Sequence, residues 1–187
     1  MRISGGKARG VTLRVDQKAV HRPAMDKLRQ SIFSSANAWV EQARVLDLFA
    51  GTGSYGLEAL SRGSAHCTFV ELNGRAVTMI KANAEIVAKS MKEKLDTRIL
   101  KGDATRFESA PEAAPFDLIF VDPPYDQLET LTPKLFPIFD QILAHDGLVV
   151  FEAPGNFEPA AEGWTLKKRL GKGTDQPTAC LLRRAET

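Results

Sequence analysis

From Arg44 onward the chain alternates short apolar runs with segments of helical spacing. The runs at 44–49, 66–71, 95–100, 116–121 and 147–152 predict strands, most of them apolar at successive positions as buried parallel strands are. Between them, 55–62 and 75–89 predict helices, the second burying Ala76, Val77, Ile80, Ala84 and Val87. A further helix is predicted over 128–143, starting late or bent because Pro133 and Pro137 interrupt it. Alternating strands and helices imply βαβ units and a parallel sheet. Two last runs, near 164–169 and 178–183, have the pattern of an antiparallel pair. Upstream, 25–40 predicts a helix with Leu28, Ile32, Ala36, Trp39 and Val40 on the face that packs on the sheet. Before it, the Gly5-Gly6 turn and the alternation of Val11, Leu13 and Val15 with Thr12 and Arg14 predict a hairpin. Its polar face carries Lys7, Arg9 and Arg14.

Length and composition fit this picture: 187 residues, 43% hydrophobic and 26% charged, suffice for one α/β domain with a full core. We divide the chain into a basic arm, 1–22, and a main domain, 23–187. No window approaches the ~20 apolar residues of a membrane span, and the start lacks the apolar core of a secretory signal, so a cytoplasmic protein is expected. Cys67 and Cys180 lie far apart without metal-ligand spacing, and His21, His66 and His145 are scattered. Buried reduced thiols and no metal site are expected. Charge changes the picture more. Residues 1–31 hold eight lysines and arginines against two aspartates, or +6, while the remainder carries −4. A basic arm on a mildly acidic body fits a polyanionic partner, although a solvated basic surface fits as well.

Candidate chemistry begins where the first strand breaks into glycines, at Val45-Leu46-Asp47-Leu48-Phe49-Ala50-Gly51-Thr52-Gly53-Ser54-Tyr55-Gly56. Glycines at the carboxyl end of a parallel strand allow a sharp turn and close approach to a ligand. Gly51, Gly53 and Gly56 have the dinucleotide spacing, and Glu71 lies where a ribose-binding acid belongs. Asp47 points elsewhere: a carboxylate there suits a cation, such as the α-ammonium of S-adenosylmethionine. Capping or loop bracing is the other role open to Asp47. Strand four ends in Asp122-Pro123-Pro124-Tyr125. Two prolines fix an extended backbone and leave carbonyls free to accept hydrogen bonds, and the aromatic ring after them can stack on a planar base.

Asp47 to Gly53, Glu71 after the second strand and Gly102-Asp103-Ala104 after the third together resemble the cofactor site of class I S-adenosylmethionine-dependent methyltransferases. The resemblance implies that Asp47 and the loop from Phe49 and Ala50 through Gly51 and Gly53 hold the methionine end. Glu71 would take the ribose hydroxyls, Asp103 the adenine amine, and Leu72 and Ala104 would wall the adenine, with Asp122 at the reacting end. Asp122 to Tyr125 is similar to the motif of methyltransferases acting on exocyclic nitrogens. There the Asp122 side chain and Pro123 carbonyl would accept from the amine, with Tyr125 stacking on the flipped-out base.

The opening Arg2-Ile3-Ser4-Gly5-Gly6-Lys7-Ala8-Arg9-Gly10, then Arg22 to Phe33, then Gly56 to Gly63, resemble the RsmD family of bacterial 16S rRNA guanine-N2 methyltransferases. This implies a Rossmann-like fold with a mostly parallel seven-stranded sheet, helices on both faces, an antiparallel carboxyl-terminal pair and a basic hairpin. It also implies S-adenosylhomocysteine as product, a small ribosomal subunit as partner, a monomer, and RNA contacts from Lys7, Arg9, Arg14, Arg22 and Lys27. The chain departs from the family pattern at Ala24 and Met25, at Asn73, and in the loop at 171–177. An adenine-N6 or cytosine-N4 DNA methyltransferase would use the same tetrapeptide. A nicotinamide-dependent oxidoreductase and a catalytically silent RNA-binding module are the readings from other classes.

Overall fold

The computed structural model describes residues 1–15, 23–110 and 112–186. Seven strands form one sheet: β1 (Arg44–Leu48), β2 (His66–Glu71), β3 (Thr97–Lys101), β4 (Phe116–Val121), β5 (Leu143–Pro154), β6 (Trp164–Leu170) and β7 (Pro177–Arg184). Their order is β3-β2-β1-β4-β5-β7-β6, parallel from β3 to β5 and antiparallel for β7 against both its neighbours. Chain order therefore reverses between β1 and β4, and ligands of such sheets bind outside the strand ends at that reversal.

Four helices cover the sheet: α1 (Pro23–Ser35), α2 (Ser54–Ser61), α3 (Gly74–Met91) and α4 (Leu128–Ile142). Strand alternation sorts the core into two layers. Val45, Leu118, Phe120 and Val150 pack under α1, α2 and α3, whereas Leu46, Leu48, Ile119 and Val149 pack under α4. Gly56 is what lets α2 lie this close. A Cβ there would fall 2.3 Å from the Phe69 ring and 2.5 Å from Cys67 Sγ. Both cysteines are buried and free. Among the described residues no helix is long and apolar enough to cross a membrane.

The structure corrects several sequence-based boundaries. α4 runs unbroken through Pro133 and Pro137. Both prolines lie on its exposed face, four residues apart, so the carbonyls they leave unbonded face water, while Leu131, Leu135, Phe136 and Phe139 hold the other face. β5 begins at Leu143, directly after α4, rather than at 147. The first helix ends at Ser35, and Asn37–Trp39 forms a 3-10 turn with i to i−3 bonds instead of a last α turn.

The amino-terminal hairpin is bonded Ile3 N to Val11 O (2.9 Å) and Leu13 N to Met1 O (3.0 Å), and it buries Ile3, Ala8 and Leu13 in the α1–α3 layer. One buried carboxylate fastens it. Glu58 on α2 is fully buried and accepts from Arg29 Nε of α1 (3.2 Å), from Arg62 Nη2 (2.9 Å), and from the backbone N–H and hydroxyl of Ser4. Arg29 also donates to Asp26 (2.8 Å) and to the Arg2 carbonyl (2.6 Å). Hairpin, α1 and α2 thus meet on a single ion network.

Candidate functional site

A cavity of about 760 Å³ opens at the carboxyl ends of β1, β2, β3 and β4, where the strand order reverses. Phe49, Glu71, Leu72, Asp103, Ala104, Asp122, Pro123 and Pro124 line it, so eight of the thirteen catalytic and cofactor candidates converge, while Tyr125 lies outside its lining. Its apolar wall is completed by Val70 and Leu131, and Leu72 presents 67% of its surface although it is a leucine. An exposed apolar side chain beside carboxylates suits a planar, partly polar ligand such as a nucleoside.

The carboxylates are held by backbone donors. Glu71 accepts from Gly51 N at one oxygen (2.8 Å) and from Asn73 N at the other (2.7 Å), which fixes its orientation at the β2 end. Asn73, where the family pattern departs, caps α3 through Arg75 N and Ala76 N. Asp103 accepts from Thr105 N and Oγ1 at 2.9 and 2.8 Å, and these bonds hold its carboxyl below the usual range. The backbone between β1 and α2 is left-handed at Phe49 (φ 57°), Gly51 (φ 53°) and Gly53 (φ 77°). For Phe49 this conformation costs on the order of 1 kcal/mol, a strain of the kind concentrated at ligand sites.

Asp47 is buried at the foot of α2. It shares the α2 side of β1 with Val45, is 1% exposed, and accepts from Gly56 N at 2.9 Å, bracing the helix. Strand alternation turns it under α2 rather than toward the cavity, which it does not line. Burial pushes its carboxyl up to about 8, against the Gly56 bond and with the help of Glu71 nearby. Ala50, Gly51 and Gly53 likewise do not line the cavity; Gly51 reaches it through its bond to Glu71. Two N–H groups at this turn are already engaged, Gly51 N by Glu71 and Gly56 N of α2 by Asp47, so neither is free for a pyrophosphate. The acceptor oxygens of Glu71 and Asp103 beside the exposed Leu72 suit instead a ligand that carries donor groups and an apolar face.

At the reacting end the sequence reading missed Glu152. It ends the apolar run of β5, is 5% exposed, and accepts from Tyr55 Oη (2.5 Å) and Tyr125 Oη (3.0 Å). The available signal was a lone acid at the carboxyl end of an apolar strand, the pattern that drew attention to Asp47 and Asp122. Burial raises both the Asp122 and the Glu152 carboxyls; Glu152 and then Asp47 push Asp122 further, whereas the two phenols and Arg29 oppose the rise at Glu152. Tyr125 is 37% exposed, its hydroxyl anchored inward and its ring accessible beside Pro124.

The basic residues divide. Lys7 bonds to Ser61 O and pairs with Glu93 at 2.5 Å, which places it and the neighbouring Arg9 toward the amino-terminal edge of the sheet, opposite the cavity. Arg14 lies nearer the site: its backbone is held by Asn83, which also bonds Thr52 O. Lys27 shares a surface groove with Lys172, Gln176 and Pro177, beside the β5 and β7 ends that flank Asp122. Arg22 lies outside the described residues.

Strand order and the likeness to solved methyltransferases define a class I methyltransferase. The family model described as Conserved hypothetical protein 95 matches residues 1–180. The chain belongs to this family, the RsmD family of methyltransferases. Its relatives include YlbH of Bacillus subtilis (strain 168), 35% identical over 156 residues covering 81% of this chain and 82% of that protein. Ribosomal RNA small subunit methyltransferase D of Escherichia coli (strain K12) is 37% identical over 127 residues, 67% of this chain and 60% of that enzyme. Among solved structures, yhhF from Escherichia coli superposes with a TM-score of 0.79 at 27% identity, covering 98% of this chain and 97% of that one.

Proposed function

We propose that the protein transfers a methyl group from S-adenosylmethionine to the exocyclic N2 of a guanine in small-subunit ribosomal RNA, in the cytoplasm. The observation that carries this reading is the convergence of Glu71, Leu72, Asp103 and Asp122-Pro123-Pro124 on one cavity, in a relative of enzymes named for rRNA methylation. Glu71 would hold the ribose hydroxyls with its remaining lone pairs, Asp103 the adenine amine, and Leu72 and Ala104 the two sides of the adenine. S-adenosylmethionine supplies an electrophilic methyl on a sulfonium.

The chain's own residues act on the amine. The N2 lone pair of guanine is delocalised into the ring, which makes it a poor nucleophile. Hydrogen bonds from its two N–H groups to the Asp122 side chain and the Pro123 carbonyl favour a pyramidal nitrogen whose lone pair points along one direction. Pro123 and Pro124 keep that backbone extended. Tyr125 offers its exposed ring to the flipped-out base. After transfer the nitrogen sheds a proton, and Asp122 is placed to take it. Its ionised form is favoured beside a bound cation, against the burial that otherwise raises it.

Methyl-labelled S-adenosylmethionine, offered with small subunits from cells lacking the protein, with duplex DNA, or with neither, tests the assignment. Label is expected in rRNA as N2-methylguanosine. Label confined to DNA would replace this reading by a DNA methyltransferase, and binding of NADH in preference to S-adenosylhomocysteine would replace it by an oxidoreductase. RNA binding without transfer would mark a silent module.

Arg14 and Lys27 are the basic residues proposed to meet RNA near the site, with Lys7 and Arg9 reaching only a substrate that extends to the far edge. Replacing Arg14 and Lys27 by alanine is expected to reduce the slope of log affinity against log salt by about 1.5 to 2, as two lost phosphate contacts require. A filter-binding series at several salt concentrations checks it; an unchanged slope would remove both from the interface.

A further inference from the structure

The only two tyrosines of the chain, Tyr55 and Tyr125, both donate their hydroxyls to the same carboxylate, one to each oxygen of Glu152. Tyr55 comes from the first turn of α2, Tyr125 from the turn after β4, and Glu152 from β5. The three lie on the α2 side of the sheet, where the Tyr55 ring stacks on Phe120 with centroids 5.0 Å apart. We propose that Glu152 is a positioning residue of the transferase: anchored by Tyr55, its carboxylate fixes the Tyr125 ring in the orientation that receives the target base. The proposal rests on the base-methylation reading above and adds to it a part for two residues outside the Asp122 to Tyr125 motif.

Three observations separate this clasp from an ordinary buried hydrogen bond. First, Tyr125 is the partner that is not buried for its own sake: its ring remains accessible while its hydroxyl is drawn into the protein. A ring that only filled space would be covered. Second, a phenol ring turning about its Cα–Cβ bond sweeps its face through a wide arc, and a tether at the hydroxyl stops that sweep at the far end of the side chain. Stacking requires the face in one orientation before the base arrives, and fixing it beforehand removes an entropic cost from the reaction. Third, Glu152 does not rest on Tyr125 alone. Tyr55 holds the other oxygen, and burial together with the negative charges of Glu152 and Asp122 keeps both phenols protonated, so each reaches Glu152 as a donor. Arg29, itself buried against Glu58, is the cation whose charge favours the ionised form of Glu152.

Tyrosine count makes the test direct. With 3-fluorotyrosine incorporated, the protein gives two fluorine resonances, and Glu152→Gln is expected to move both, whereas Tyr125→Phe leaves one. On the same variants, Tyr125→Phe and Glu152→Gln are each expected to lower kcat with small subunits by about tenfold, with affinity for S-adenosylhomocysteine changed less than about twofold. The double variant should be no slower than the slower single, because Gln leaves one neutral acceptor oxygen where two phenols shared a carboxylate, and both changes therefore act on the same tether. Tyr55→Phe, which leaves the Tyr125 bond in place, should give a smaller loss than Glu152→Gln. A Glu152→Gln spectrum in which only the Tyr55 resonance moves would overturn the clasp. Losses that multiply in the double variant, or full activity with both resonances displaced, would overturn the positioning role. Wild-type protein that labels neither RNA nor DNA would instead defeat the proposed reaction, and the fluorine spectra would still decide whether the clasp exists.

Discussion

Asp122→Ala is expected to lower kcat on small subunits by about 10²- to 10⁴-fold, the range of a lost acid-base group, with S-adenosylhomocysteine still bound. The carboxylate is proposed to act on the substrate amine, by accepting an N–H in the ground state and the released proton afterwards. Cofactor binding draws on other residues, with Glu71 oriented by Gly51 and Asn73, and Asp103 by Thr105. Single-turnover transfer alongside calorimetry with S-adenosylhomocysteine separates the two contributions. Asp122→Asn is the sharper variant, since it keeps an acceptor oxygen but loses the base. A slow rate in both variants assigns the proton to Asp122, while a near-normal rate in Asp122→Asn would send the proton to water. Equal loss of turnover and cofactor affinity would contradict the division of labour.

The second large effect is on stability. Glu58→Ala is expected to destabilise the fold by about 3–5 kcal/mol, the cost of breaking a buried ion network, because Arg29 keeps only the part-exposed Asp26 and Arg62 loses its carboxylate. Arg29 is 3% exposed and would lose its Nε partner, and Ser4 would lose both of its bonds to α2. For a chain of this size that loss lowers Tm by roughly 6–20 °C. Pairing the change with Arg29→Met should recover much of it, because removing both charges also removes their desolvation cost. Urea unfolding of the two variants checks the pair. A single variant within about 1 kcal/mol of wild type would mean that water reaches Arg29.

Much of the fold was legible because the central parallel strands β1, β2 and β4 are buried and so stand out as largely apolar runs, whereas the edge strand β3 is only partly covered. The carboxylates that line the cavity were legible for a related reason. Glu71, Asp103 and Asp122 sit just past those runs, where the chain leaves the sheet and a polar residue must face either solvent or a ligand. What Asp47 meets was not legible, because it lies within a run, where side chains alternate faces and only the position of α2 decides what a carboxylate faces. Glu152 was passed over because its partners, Tyr55 and Tyr125, lie 97 and 27 residues away. The prolines of α4 misled in the opposite sense. Their cost depends on whether the freed carbonyls face water, and that is set by which side of the helix packs.

The ties between the amino-terminal hairpin and Glu58 also constrain the order in which the protein assembles. Ser4 and the carboxylate that holds it are separated by 54 residues, so during synthesis the hairpin has no seat until β1 and α2 have followed it. Until then Ile3, Ala8 and Leu13 have no core to enter. The hairpin is thus a late closure made with early residues, and the loop-closing entropy of that long separation falls on the stage when α1 and α2 are already together.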